Sequence, residues 1–177
     1  MKRYRYILAL AVLLFSGCRE PVTYPDEPVI SFSDFYLYIT ENELGVQTLT
    51  GDLVFGFTDG DGNVGLEAIS DSLTLLLPDT VIYNLFLQTY AMENGGFVKV
   101  PEEEGGLSKY RIPYMDKSPL NGTITIKLEY PIIAYDTLFY TFYIYDRSYN
   151  RSNTDSSYVI VFTGISTNGD SVHFGAR

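Results

Sequence analysis

Apolar and polar residues alternate along most of the chain with the period of two that marks a half-buried β-strand. The clearest stretch is Thr123 to Tyr130, where Ile124, Ile126, Leu128 and Tyr130 fall on one face and Thr123, Thr125, Lys127 and Glu129 on the other. Leu49, Leu53, Phe55 and Phe57 share a face of an earlier strand, with Thr50, Asp52 and Thr58 opposite. Ile30 to Ile39, Leu73 to Leu77, Val81 to Tyr90 and Tyr158 to Phe162 read as further strands. Phe97 to Val100 is expected to pair back on Val81 to Tyr90 across the Gly95-Gly96 break. Leu138 to Tyr145 is apolar on both faces, the pattern of a central strand. Residues 101–108 (PEEEGGLS) read as an exposed loop, and the tail from Thr163, with the only histidine, His173, as loose. No convincing amphipathic helix interrupts the series. Seven to eight short strands separated by Gly, Pro, Asn and Asp turns predict an all-β, antiparallel β-sandwich over residues 29–177.

Composition supports this picture. The 177 residues are 46% hydrophobic and 19% charged, which excludes a disordered chain and leaves room for about one domain. The 16 Tyr and 11 Phe, with no Trp, favour strands. Cys18 is the only cysteine, so intramolecular disulfides, CxxC redox pairs and cysteine zinc clusters are excluded.

The N-terminus stands apart. Lys2, Arg3 and Arg5 precede a ten-residue apolar run, Tyr6 to Phe15, too short to span a bilayer but suited to a signal peptide. The run Leu14-Phe15-Ser16-Gly17-Cys18 resembles a bacterial lipobox. That resemblance implies cleavage after residue 17 and acylation of Cys18, with more than one acyl chain giving stable anchoring. Taking the three positive charges of Lys2, Arg3 and Arg5 off a formal net charge of −10 leaves −13 on the mature chain. So acidic a surface repels nucleic acid. Residues 19–28, with three prolines and four charges, form a stiff tether. The expected location is the cell envelope, as an outer-membrane lipoprotein. Glu20, Asp26 and Glu27 resemble a sparse surface-export signal, and both periplasmic and surface orientations remain open.

Asp136-Thr-Leu138-Phe-Tyr140-Thr-Phe142 resembles the start of the sixth strand of an immunoglobulin-like domain. The resemblance makes Tyr140 a tyrosine corner, its hydroxyl bonded to backbone, and puts Phe142 in the place of the usual cysteine. Tyr145 to Asn153 resembles the D-x-x-x-N-x-S hairpin of bacterial Ig-like domains. Together with Phe57 to Gly65 it is similar to small Bacteroidetes-type lipoproteins carrying such a domain.

Candidate chemistry is limited. Asp59, Asp61 and Asn63 alternate as D-x-D-x-N, a spacing that gathers oxygen ligands for a hard cation such as calcium. A complete EF-hand is excluded, because Val64 stands where glycine turns the loop and Ser70 where glutamate closes the site. In an Ig-like sandwich the loop after the sixth strand lies at the same end and brings Asp146 and Asn150 to the cluster. The same Asp-Gly-Asp-Gly-Asn run is also ordinary turn chemistry. Ser72, Thr80, Thr137 and Ser171 each follow Asp and precede an apolar residue, as in the O-glycosylation signal of Bacteroidetes-type exported proteins. Glu102 to Glu104 read as a solvated run. Tyr36 with Tyr38, and Tyr143 with Tyr145, are candidates for sugar stacking or for ordinary packing. The expectation is a lipid-anchored, non-enzymatic binding or structural module, with a glycan or protein partner. The alternative is a small carboxylate-dependent glycan-processing enzyme, recognisable by two carboxylates about 5 to 9 Å apart beside a groove.

Overall fold

A computed structural model describes residues 23–41, 45–69, 77–114, 121–162 and 172–175. The chain forms an all-β sandwich of two antiparallel sheets. The strands are β1 (Val29–Glu41), β2 (Gln47–Thr58), β3 (Leu85–Glu93), β4 (Gly96–Lys99), β5 (Leu107–Tyr110), β6 (Asn121–Tyr130), β7 (Thr137–Ile144), β8 (Asp155–Ser156), β9 (Ile160–Val161) and β10 (Val172–Gly175). One sheet runs β10-β1-β2-β6. In the other, β3 and β7 are central; β4 and β5 lie end to end along the free side of β3, and β8 and β9 along that of β7. Each sheet therefore has four strand positions. Strands one, two and six in one sheet, and three and seven in the other, give the connectivity of an immunoglobulin-like sandwich.

The alternating positions explain the core. Phe35 and Leu37 of β1 and Leu53 and Phe55 of β2 are fully buried, as are Leu85 of β3 and Phe142 and Ile144 of β7. Phe55 meets Phe142 between the sheets, ring centroids 5.0 Å apart. Ile124, Ile126, Leu128 and Tyr130 pack on this core as their spacing predicts. β7 is a central strand, but its second face, with Phe139, Thr141 and Tyr143, is only half-buried. Thr50, on the polar face of β2, is also buried; its hydroxyl pairs with that of Thr40 at 2.7 Å.

Several local readings need correction. The stretch from Val81 opens not as a strand but as a single helical turn, α1 (Asp79–Ile82), because Pro78 presets the backbone and its carbonyl accepts the Val81 N–H. β3 starts only at Leu85. The β3–β4 turn is Asn94-Gly95, both at positive φ (49° and 85°), a type I′ geometry that lets Gly96 begin β4. Residues 101–108 hold a 3-10 turn (Glu102–Glu104) and the start of β5. Tyr158 to Phe162 contributes only the two-residue β9. His173 is not in a loose tail: β10 pairs antiparallel with β1, His173 opposite Tyr36. The run Leu73 to Leu76 lies outside the described residues.

Tyr140 is buried, but it is not a backbone-bonded corner. Its hydroxyl pairs with that of Tyr130 at 2.9 Å, because the end of β6 brings that phenol across the gap between the sheets. The hairpin motif behaves as its residues suggest. Asp146 Oδ1 accepts the Asn150 N–H at 2.7 Å and Ser152 Oγ accepts the Ile144 N–H at 3.0 Å. Asn153 then clips the two sheets together, its side chain accepting from Ile30 N–H at 2.8 Å and donating to Ile30 carbonyl at 2.9 Å.

Candidate functional site

The loop after β2 and the loop after β7 meet at one end of the sandwich. Three of the five predicted ligands converge there. One carboxylate oxygen from each of Asp59, Asp61 and Asp146 lies within 4.8 Å of the other two. Asp59 and Asp146 are buried and Asp61 is exposed. The turn chemistry is present as well. Asp59 Oδ2 accepts the backbone N–H groups of Asn63 (2.6 Å) and Val64 (3.1 Å), and Gly62 takes the left-handed conformation (φ 65°) that the tight turn needs. Asp59 Oδ1 is buried and accepts nothing.

Asn63 and Asn150 do not join the acidic cluster as oxygen donors. Asn63 Nδ2 donates to Asp61 Oδ2 at 2.5 Å and to Ser148 Oγ at 3.0 Å, while its Oδ1 faces the Arg147 N–H. Asn150 Nδ2 donates to Asp146 Oδ2 at 2.8 Å. Both amides turn their N–H groups to the carboxylates because these are the strongest acceptors nearby. Ser148 was not singled out in the sequence; its only signal was a place in the Asp146–Asn150 turn.

The electrostatics are unbalanced. Burial raises the Asp59 carboxyl above its usual range, the Asn63 and Val64 N–H groups oppose this, and Asp61 and Asp146 push it further up. No ion pair reaches the three carboxylates among the described residues. The Arg147 guanidinium lies instead over the Tyr114 ring, 4.9 Å from its centroid.

The tether docks on this same loop. Gly60 N–H donates to the Pro25 carbonyl at 2.7 Å, and Asn121 Nδ2 to the Tyr24 hydroxyl at 3.1 Å. Only glycine suits position 60, where a Cβ would press on the Tyr24 and Pro25 carbonyls.

Elsewhere, a cleft of about 210 Å³ opens near the Tyr130–Tyr140 pair, with Tyr110, Ile132, Glu104 and Glu129 among its walls. Both glutamates are exposed. The outer face of the second sheet carries rings in cross-strand register: Tyr90 stacks on Phe139 (4.9 Å) and Phe86 on Tyr143 (5.3 Å), with Tyr145 edge-on to both of the latter. Arg151 covers Tyr143 at 3.9 Å. These rings spend their faces on one another, so Tyr143 and Tyr145 are packed rather than laid out as a sugar platform. Tyr36 is exposed, and the Tyr38 hydroxyl donates to Asp52 at 2.9 Å.

Of the predicted modification sites, Thr80 is exposed in α1 and Thr137 is half-buried at the start of β7. Cys18, Ser72 and Ser171 lie outside the described residues. Among those described, no helix is long and apolar enough to cross a membrane. No family model, curated protein or solved structure matches the chain.

Proposed function

We propose that this chain is a lipid-anchored, non-enzymatic binding or structural module of the bacterial cell envelope, akin to the Bacteroidetes-type lipoproteins it resembles, held through acylated Cys18 and engaging a glycan or protein partner. The observation that carries the reading is the docked tether. Tyr24 and Pro25, six and seven residues after Cys18, are bonded to the end of the sandwich where β1 begins, so lipid on Cys18 holds a folded domain at a fixed end. In cells, the wild type should incorporate a labelled fatty acid and sediment with membranes. Cys18→Ala should carry no label and leave the membrane fraction. Equal labelling of the two, or a wild type already free of membranes, defeats the proposal.

The enzymatic alternative has one observation in its favour, the pair Glu104 and Glu129 beside the cleft. Against it, ligand pockets commonly measure about 300 to 1,000 Å³, and the cleft falls short of that. Glycan hydrolysis by the wild type that is lost in Glu129→Gln would establish the enzyme and displace the module.

A further inference from the structure

The geometry points to a calcium site formed by Asp59, Asp61 and Asp146, independent of whether Cys18 is lipidated. An acidic cluster alone is weak ground, since exposed carboxylates often gather without a ligand. Here a second observation singles the cluster out. Asp59 is fully buried, its Oδ2 is satisfied by two backbone N–H groups, and its Oδ1 has no partner. A buried carboxylate oxygen without a donor is costly, and Asp59 shares its cluster with two further carboxylates. A cation between the three satisfies the orphan oxygen and removes the mutual repulsion together.

The donor set and its spacing suit calcium. Two oxygens in one coordination shell lie at most twice the metal–oxygen distance apart, about 4.6 to 5.2 Å for calcium and about 4.0 to 4.2 Å for magnesium. Three oxygens gathered within 4.8 Å of one another need only a small closing movement to reach calcium's bond length of about 2.3 to 2.6 Å, and calcium's flexible shell tolerates that better than the near-ideal octahedron magnesium demands. The donors are all carboxylate oxygens, with no histidine or cysteine among them, which suits a hard cation and not zinc. The surrounding amides hold the ligands in place. Asn150 donates to both oxygens of Asp146, and Asn63 ties Asp61 to Ser148. Each bonded oxygen retains a lone pair for the metal, and water completes the shell. Three ligands without the bidentate closing glutamate place the affinity at about 0.1 to 1 mM, the range of extracellular modules.

The test uses the full chain purified in detergent and stripped with a chelator, titrated with calcium chloride by calorimetry and by thermal unfolding. Saturable binding is expected, with a rise in Tm of about 2 to 8 °C at about 5 mM calcium. Asp61→Asn keeps the shape of an exposed residue and should weaken binding about tenfold or more. Without calcium it should be at least as stable as the wild type, because one of three repelling charges is gone. Asp146→Asn should weaken binding likewise. An absence of saturable binding in the wild type would overturn the assignment. So would an equal shift in Asp61→Asn, or an equal shift with magnesium at matched ionic strength. Failure here leaves the membrane anchor untouched, as Cys18 labelling reads a different group.

Discussion

Phe142→Ala is expected to lower the stability of the domain by about 3 to 5 kcal/mol, the range for truncating a buried phenylalanine. Against the 5 to 15 kcal/mol that holds a typical domain together, this is a large fraction of the total. Phe142 is 0% exposed, sits mid-strand in β7, and its ring meets Phe55 of β2 across the sandwich at 5.0 Å. In an immunoglobulin-like order β2 and β7 stand where antibody domains have the second and sixth strands, the pair that a disulfide joins there. Two phenyl rings here take the place of that covalent cross-link, so the sheets are held by packing alone at this point. Denaturant unfolding of Phe142→Ala, Phe55→Ala and the double variant checks this. The midpoint should fall sharply in each single variant. The double variant should lose less than the sum, because neighbours share one contact. A loss below about 1.5 kcal/mol in Phe142→Ala would mean that the pair is peripheral to the core.

The second large effect is alkaline unfolding. Burial, above all, raises the pKa of both Tyr130 and Tyr140 beyond the usual tyrosine range; the neighbouring Tyr140 raises Tyr130 further, while the shared hydrogen bond lowers Tyr140. Folded values above the unfolded value of about 10 mean that the native state holds protons the unfolded chain gives up. The stabilisation is complete below about pH 10 and drains away above it, at up to about 1.4 kcal/mol per pH unit for each tyrosine. Stability should be flat through neutral pH and collapse above pH 10, with tyrosinate absorbance rising together with loss of near-ultraviolet circular dichroism. Tyr140→Phe at neutral pH should cost about 1 to 3 kcal/mol, since it strands the Tyr130 hydroxyl. Adding Tyr130→Phe should recover much of that cost and flatten the alkaline slope. Smooth tyrosinate formation in a protein that stays folded at pH 12 would refute the buried pair.

The sandwich was legible because its core obeys a period of two. Leu53, Phe55, Ile124, Ile126 and Leu128 fall where alternation puts them, and β7 declared itself by apolar residues on both faces. Short-range chemistry is less legible in an alternating pattern. The β3–β4 turn falls at Asn94-Gly95, a strong signal for a two-residue hairpin, and not at the Gly95-Gly96 pair beside it. Pro78 starts a helical turn that strand periodicity does not anticipate. At the candidate site, the joining of Asp59 and Asp61 with Asp146 followed from the Ig-like order of strands, which puts both loops at one end. The direction in which Asn63 and Asn150 point did not follow, because an amide can donate or accept and its choice depends on neighbours distant in sequence. The Tyr130 partner of Tyr140 was hidden for the same reason: it lies on the other sheet.

If Cys18 carries lipid, the contact between Pro25 and Gly60 also sets how far the domain can wander. Tyr24 follows Cys18 by six residues, a leash of at most about 20 Å, and the docked end carries the three carboxylates. β1 climbs away from that end for 13 residues, roughly 40 Å. With lipid on Cys18, the molecule is a short post on a short leash, its acidic foot near the headgroups. The turn between β6 and β7, where Ile132 is 81% exposed, forms part of its crown. Anchored so, the post would sample a shallow shell above the bilayer, and whatever it met there would arrive first at the crown.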